Sequence, residues 1–120
     1  MSDPTKKPFR LTAGEIVPLA EGHGSCFATD MITCEGRKVA FMYREEPDRQ
    51  SDSGWRFMSG YESEEYMDNP DNMTIYDVNT IANYDPDIIP FLDAAVGSSF
   101  ERPGGEGGLV RVDDFKPPAD

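Results

Sequence analysis

Two places in this sequence carry side chains whose types and spacing suggest chemistry. Between Phe57 and Glu101 there is no Lys, Arg or His, while ten carboxylates appear: Glu62, Glu64, Glu65, Asp68, Asp71, Asp77, Asp85, Asp87, Asp93 and Glu101. Tyr61, Tyr66, Tyr76 and Tyr84 are interleaved with them. A one-signed surface with aromatic anchors suits recognition of a cationic partner, because opposite charge steers the encounter and buried tyrosines supply hot spots. The second place is Gly22-His-Gly-Ser-Cys26, which holds the single histidine beside a hydroxyl and a thiol. It is not the Gly-x-Ser-x-Gly nucleophile elbow, and nothing in a glycine loop aims three neighbouring side chains at one another. A flexible loop is the expected role, with no catalytic residue and no enzyme activity.

Within the acidic stretch, Glu62, Glu64, Glu65, Asp68 and Asp71 fall in ten residues that also include Asn69 and Pro70. Such a segment is too polar to bury, so these five acids and Tyr66 are the expected partner-binding residues, forming one exposed patch. Asp77 and Asp85 are set aside as helix caps, and Tyr66, Tyr76 and Tyr84 fit a core role equally well. A calcium loop started at Asp68 fails, because its third position is Pro70 and its sixth is Met73. The two cysteines lack CxxC spacing and cannot complete a zinc site with one histidine. No metal and no cofactor are expected. Arg44, Glu45 and Glu46 read as a solvated strand end rather than a ligand site.

The chain has 120 residues and a net charge of −12, which argues against nucleic acid or an anionic membrane as partner. It favours a basic protein partner, or solubility alone. The opening Met-Ser-Asp-Pro-Thr-Lys-Lys-Pro lacks the apolar run of a secretion signal, and no window has the length of a spanning helix. A cytoplasmic location with two free thiols is expected, and the sequon at Asn72-Met73-Thr74 reads as a chance match.

The elements that must position these residues divide the chain into a disordered arm at 1–8, a single domain at 9–102, and a Gly/Pro-rich tail at 103–120 with an edge strand at 109–115. Phe9 to Leu19 reads as one or two short strands. Cys26 to Ile32 and Lys38 to Arg44 alternate around Cys34-Glu-Gly36, which predicts a hairpin with Val39, Phe41 and Tyr43 on one face. Gly54 to Ser59 predicts a third antiparallel strand with Trp55 and Phe57 toward the core. Ser63 to Met67 predicts a helical turn ended by Pro70. Thr74-x-x-Asp77 has the form of a capping box ahead of Ile75, Val78 and Ile81, and Asp85-Pro86 starts a second helix that Pro90 keeps short. The fold class is therefore α+β: an antiparallel sheet, made of an N-terminal hairpin plus a third strand, with short helices packed on one face.

The runs Met42 to Pro47, Ser53 to Gly60, Tyr66 to Asn72, Asp77 to Pro90 and Gly97 to Arg102 closely resemble a bacterial family long filed as a domain of unknown function. That family is grouped with the immunity proteins of polymorphic toxin systems. The likeness spans about Cys26 to Arg102 and brings no catalytic residues with it. It implies a non-catalytic protein-binding domain that neutralises a cognate bacterial toxin, here through the acidic surface, with a cationic toxin domain as partner. The alternative is a small accessory or regulatory protein, unrelated to toxins, that binds a small ligand or another protein. The interface lies on the acidic segment or on the hairpin face around Met42 and Arg44; the sequence names neither the toxin nor an oligomeric state.

Overall fold

The computed structural model describes residues 9–11, 13–47, 50–103 and 107–112. Six strands form one mixed sheet in the order β4-β1-β3-β2-β5-β6. They are β1 (Ser25–Thr29), β2 (Phe41–Arg44), β3 (Asp52–Met58), β4 (Met73–Asp77), β5 (Ser99–Glu101) and β6 (Val110–Arg111). Between them lie α1 (Asp30–Thr33), α2 (Glu64–Asp68), α3 (Val78–Tyr84) and a 3₁₀ segment at Pro86–Phe91. The fold is α+β, with every strand pair antiparallel except β1 with β3.

Side-chain alternation decides which face is buried. The register sets Met42 opposite Phe57 and Phe100, and Ala28 beside Phe57. These residues meet Trp55, Cys26, Ile32 of α1, Val78, Ile81 and Ala82 of α3, and Ile88 and Leu92 in one core. Trp55 and Phe57 stack at 6.1 Å, and the indole N–H donates to Leu92 O at 3.1 Å. A buried indole needs that partner, since an unmet donor costs about 1–3 kcal/mol. On the opposite face a row runs Ile75, Phe27, Arg56, Tyr43, Ser99 across five strands. Arg56 is buried there, with its guanidinium 4.6 Å above the Phe27 ring and bonded to Asp52 and Glu45 at 2.8 and 2.5 Å.

The predicted hairpin is the main correction. β2 does form a hairpin, but with β3; β1 lies between β3, its parallel neighbour, and β4. The alternation after Cys26 stops at Thr29, and Gly36 closes a helical turn instead of reversing a strand: its N–H bonds Ile32 O at 3.1 Å. Burying Ile32 against α3 holds that turn helical. Met42, expected on an exposed hairpin face, is in the core, and Phe41 and Tyr43 face away from it.

The strand expected between Phe9 and Leu19 is absent from its described residues, which contain a 3₁₀ turn at Ala13–Glu15. The backbone beyond it bonds side-chain amides instead. Asn79 Oδ1 accepts from Leu19 N and Ala20 N at 2.7 and 2.8 Å, and Asn83 Oδ1 accepts from Val17 N at 3.0 Å. The expected arm at 1–8 and residues 113–115 of the expected edge strand lie outside the described residues.

Both proposed caps hold. Asp77 accepts from Asn79 N, and Asp85 accepts from Asp87 N with Pro86 at the first turn. Ile75, however, lies in β4, and α3 begins at Val78 with Asp77 rather than Thr74 as its cap.

Burial pushes the Cys26 thiol up, and Arg56 only partly opposes it. Burial likewise raises the Tyr76 phenol, and takes Tyr66 to about 12. An acid whose folded value is raised contributes stability that is complete below its unfolded value and is lost as pH climbs through the folded one. The urea midpoint is therefore expected to hold up to about pH 8 and to fall between about pH 9 and 12, with Cys26→Ala removing the earliest part of the slope. A midpoint that stays constant across that window, with the Cys26→Ala profile superimposing on it, contradicts the assignment.

Candidate partner-binding site

The acidic segment leaves the sheet where β3 ends and returns to it as β4. Glu62 makes the turn. Its carboxylate accepts from Ser59 N and Ser59 Oγ at 2.8 and 2.9 Å, from Gly60 N at 2.9 Å and from Thr29 Oγ1 at 2.5 Å. Four donors on one carboxylate tie the end of β3 to the end of β1. Glu62 is half-buried and committed to the fold, unlike the exposed neighbours with which it was grouped.

From there Ser63 caps α2 by accepting from Tyr66 N at 3.0 Å, with Glu64 and Glu65 in the first turn, where the helix dipole favours negative charge. Asn69 accepts from Asp71 N at 3.0 Å, and Asn72 Nδ2 donates to Tyr66 O at 2.9 Å, so α2 and the 3₁₀ turn Pro70–Asn72 are stapled together. The result is an exposed rim of Glu64, Glu65, Asp68 and Asp71. Ser63, Glu65, Tyr66, Asp68, Asn69 and Asn72 line a shallow hollow of about 590 Å³. Among the described residues no cation pairs with Glu64, Glu65 or Asp68.

Tyr66 turns inward. It is half-buried, and its hydroxyl is buried beside the Met31 backbone without a well-formed hydrogen bond among the described residues. Burial raises its phenol, and the negative charge of Asp30, Glu62 and Glu35 adds to the shift. Asp30 of α1 thus lies near α2, as does Glu35, which pairs with Arg37 at 3.1 Å. The outward aromatic is Tyr61, 64% exposed, with the Arg37 guanidinium 4.4 Å above its ring. Sequence reasoning left Tyr61 out of the patch. The available signal was its position in a Ser-Gly-Tyr turn, outside both periodic segments.

The other candidates separate. Ser25 and Cys26 point to opposite faces of β1; Ser25 Oγ donates to Ser51 O at 3.1 Å, and Cys26 is buried. The His23–Ser25–Cys26 grouping therefore does not assemble as a nucleophile with its base. Arg44 reaches Ser53 O and Ala94 O at 2.8 and 2.7 Å, and Glu45 pairs with Arg56, so this strand end is structural. Among the described residues no group of three or more His, Cys, Asp or Glu side chains is placed to hold a metal ion, and no helix is long and apolar enough to cross a membrane.

A family model described as the immunity protein Imm33 domain matches residues 26–113. No curated protein and no solved structure matches the chain.

Proposed function

The chain belongs to the Imm33 immunity protein family, and from that membership we propose that it is a non-catalytic cytoplasmic protein that neutralises a cationic toxin domain of a polymorphic toxin system. The surface proposed to do so is the end of the sheet built by α2 and Pro70–Asn72. The observation that supports this surface is the exposed rim of Glu64, Glu65, Asp68 and Asp71, in a segment where no basic residue lies between Phe57 and Glu101. A toxin that acts on an anionic substrate needs a positive cleft, and a rim of carboxylates competes for it and speeds association. Tyr61, exposed in the turn that precedes α2 and stacked under the Arg37 guanidinium, adds an aromatic anchor. Glu62 holds the turn beneath the rim, and Tyr66 lines the hollow beside it with its hydroxyl turned inward.

Neutralising the rim by Glu64→Gln, Glu65→Gln and Asp68→Asn together is the test. Among the described residues none of the three side chains makes an ion pair, so the melting temperature is expected to change little, with the repulsion relieved offsetting the lost charge at the start of α2. Association with the cognate toxin domain, followed by stopped flow, is expected to slow about tenfold or more at low salt and to converge on the wild-type rate when salt shortens the screening length to about 3 Å. Equal rates for the two proteins at low salt would move the interface elsewhere.

A further inference from the structure

The outer edge of β4 adjoins the acidic rim, and its backbone polarity is fixed by two hydrogen bonds. Ser25 gives its N–H to Ser51 O at 2.8 Å, away from β4, and Val78 gives its N–H to Gly24 O at 2.9 Å. Bonded and non-bonded pairs alternate along an antiparallel ladder. Thr74 and Tyr76 are therefore bonded to Ala28 and Cys26, while Met73, Ile75 and Asp77 turn their N–H and C=O groups outward. Pro70 O takes the Met73 N–H. The Met73 carbonyl, both Ile75 groups and the Asp77 N–H face out, and no strand among the described residues lies beyond them.

Among the described residues this edge has few of the usual protections beyond its shortness and the charge of Asp77. It carries no proline, no lysine and no bulge, and its central side chain, Ile75, is 47% exposed. The sheet's other edge, β6, spans only Val110–Arg111 and presents a cation. We infer that the β4 edge pairs with an extended, basic segment of the partner. That segment would add a strand through Met73 O, Ile75 and Asp77, set an apolar side chain over Ile75, and bring its cations against Asp68, Asp71 and Asp77. Backbone pairing supplies affinity, and alternate side chains supply specificity. The inference rests on the reading above that the partner is cationic.

The probe is a short blocked peptide alternating arginine and valine, with a glutamate–valine peptide as control, and the readout is amide hydrogen exchange resolved by residue. The Ile75 and Asp77 amides are expected to exchange about tenfold more slowly with the arginine peptide and unchanged with the control. Ile75→Pro removes the outward donor, while Ile75→Lys keeps it and adds a repelling charge; both are expected to weaken binding about tenfold. Binding that responds to neutralising Glu64, Glu65 and Asp68 but leaves the Ile75 and Asp77 amides exchanging freely overturns the strand pairing and leaves the acidic surface standing. Edge protection that survives full strength in that neutralised variant supports the pairing and removes the charge reading. Equal protection by the control peptide, or protection already present in a dimer of the free protein, overturns the inference.

Discussion

Gly54→Ala is expected to cost roughly 3 kcal/mol or more, a large share of the stability of a domain of this size. Gly54 sits in β3 at φ +89°, a backbone conformation that L side chains rarely adopt, and an added Cβ would lie 2.2 Å from Glu45 O and 3.3 Å from Arg44 Cγ. That carbonyl cannot step aside, since Glu45 N bonds Gly54 O at 3.0 Å and the Glu45 side chain pairs with Arg56. Relief requires β2 and β3 to part, which opens the core at Trp55. Gly97→Ala separates the two contributions. Gly97 has φ +97° with nothing within 4 Å of an added Cβ, so its replacement carries backbone strain alone, about 1–3 kcal/mol. Urea unfolding of both variants is the measurement, and equal midpoints for them would remove the steric argument.

The next largest effect belongs to Arg102. Its side chain is 2% exposed and holds three parts of the chain together: Asp85 at 2.8 Å, Asp87 at 3.0 Å, and the Val39 carbonyl through Nε at 3.0 Å. Asp85, 1% exposed, also accepts from Val39 N at 2.9 Å and from Asp87 N at 3.1 Å. Arg102→Met leaves a buried carboxylate without its cation and is expected to cost about 3–5 kcal/mol. Asp85→Asn keeps an acceptor for the Val39 and Asp87 N–H groups while removing the charge, so the double variant is expected to be more stable than Arg102→Met alone. Independent, additive losses in that cycle would show that the two side chains do not act as a pair.

Much of the architecture was written in local patterns. Trp55 and Phe57 share a face because β3 alternates, Ser63 and Asp85-Pro86 announce their helical turns, and Asp77 caps α3. What local patterns lack is partner choice. The run from Cys26 carries the same period whether it pairs with Lys38–Arg44 or with β3 and β4, and only burial of Ile32 against α3, distant in sequence, decides between them. Asn79 and Asn83, one turn apart, carry no local signal of their own; their role as backbone partners of Val17 to Ala20 exists only once that segment has arrived. Within the acidic patch, composition identified a polar, solvent-facing stretch but could not separate Glu62, bound by four donors, from Glu64 and Glu65 beside it. Composition likewise could not tell that the Tyr66 ring turns inward beside Met31 while Tyr61 stays exposed.

The placement of β1 bears on how soon a newly made chain becomes competent. The β2–β3 hairpin is local and closes quickly, but β1 must wait for β3 as its parallel neighbour and then for β4, so the centre of the sheet assembles from contacts distant along the chain. Loop closure of that kind sets the slower end of folding rates. On the ribosome, at about 5–20 residues per second, β1 stays half-paired until β4 emerges, and Arg102 locks Asp85 only after β5 has been synthesised. The sheet from β4 across to β5, and with it the surface proposed to meet a partner, therefore exists only once the chain has been made through β5.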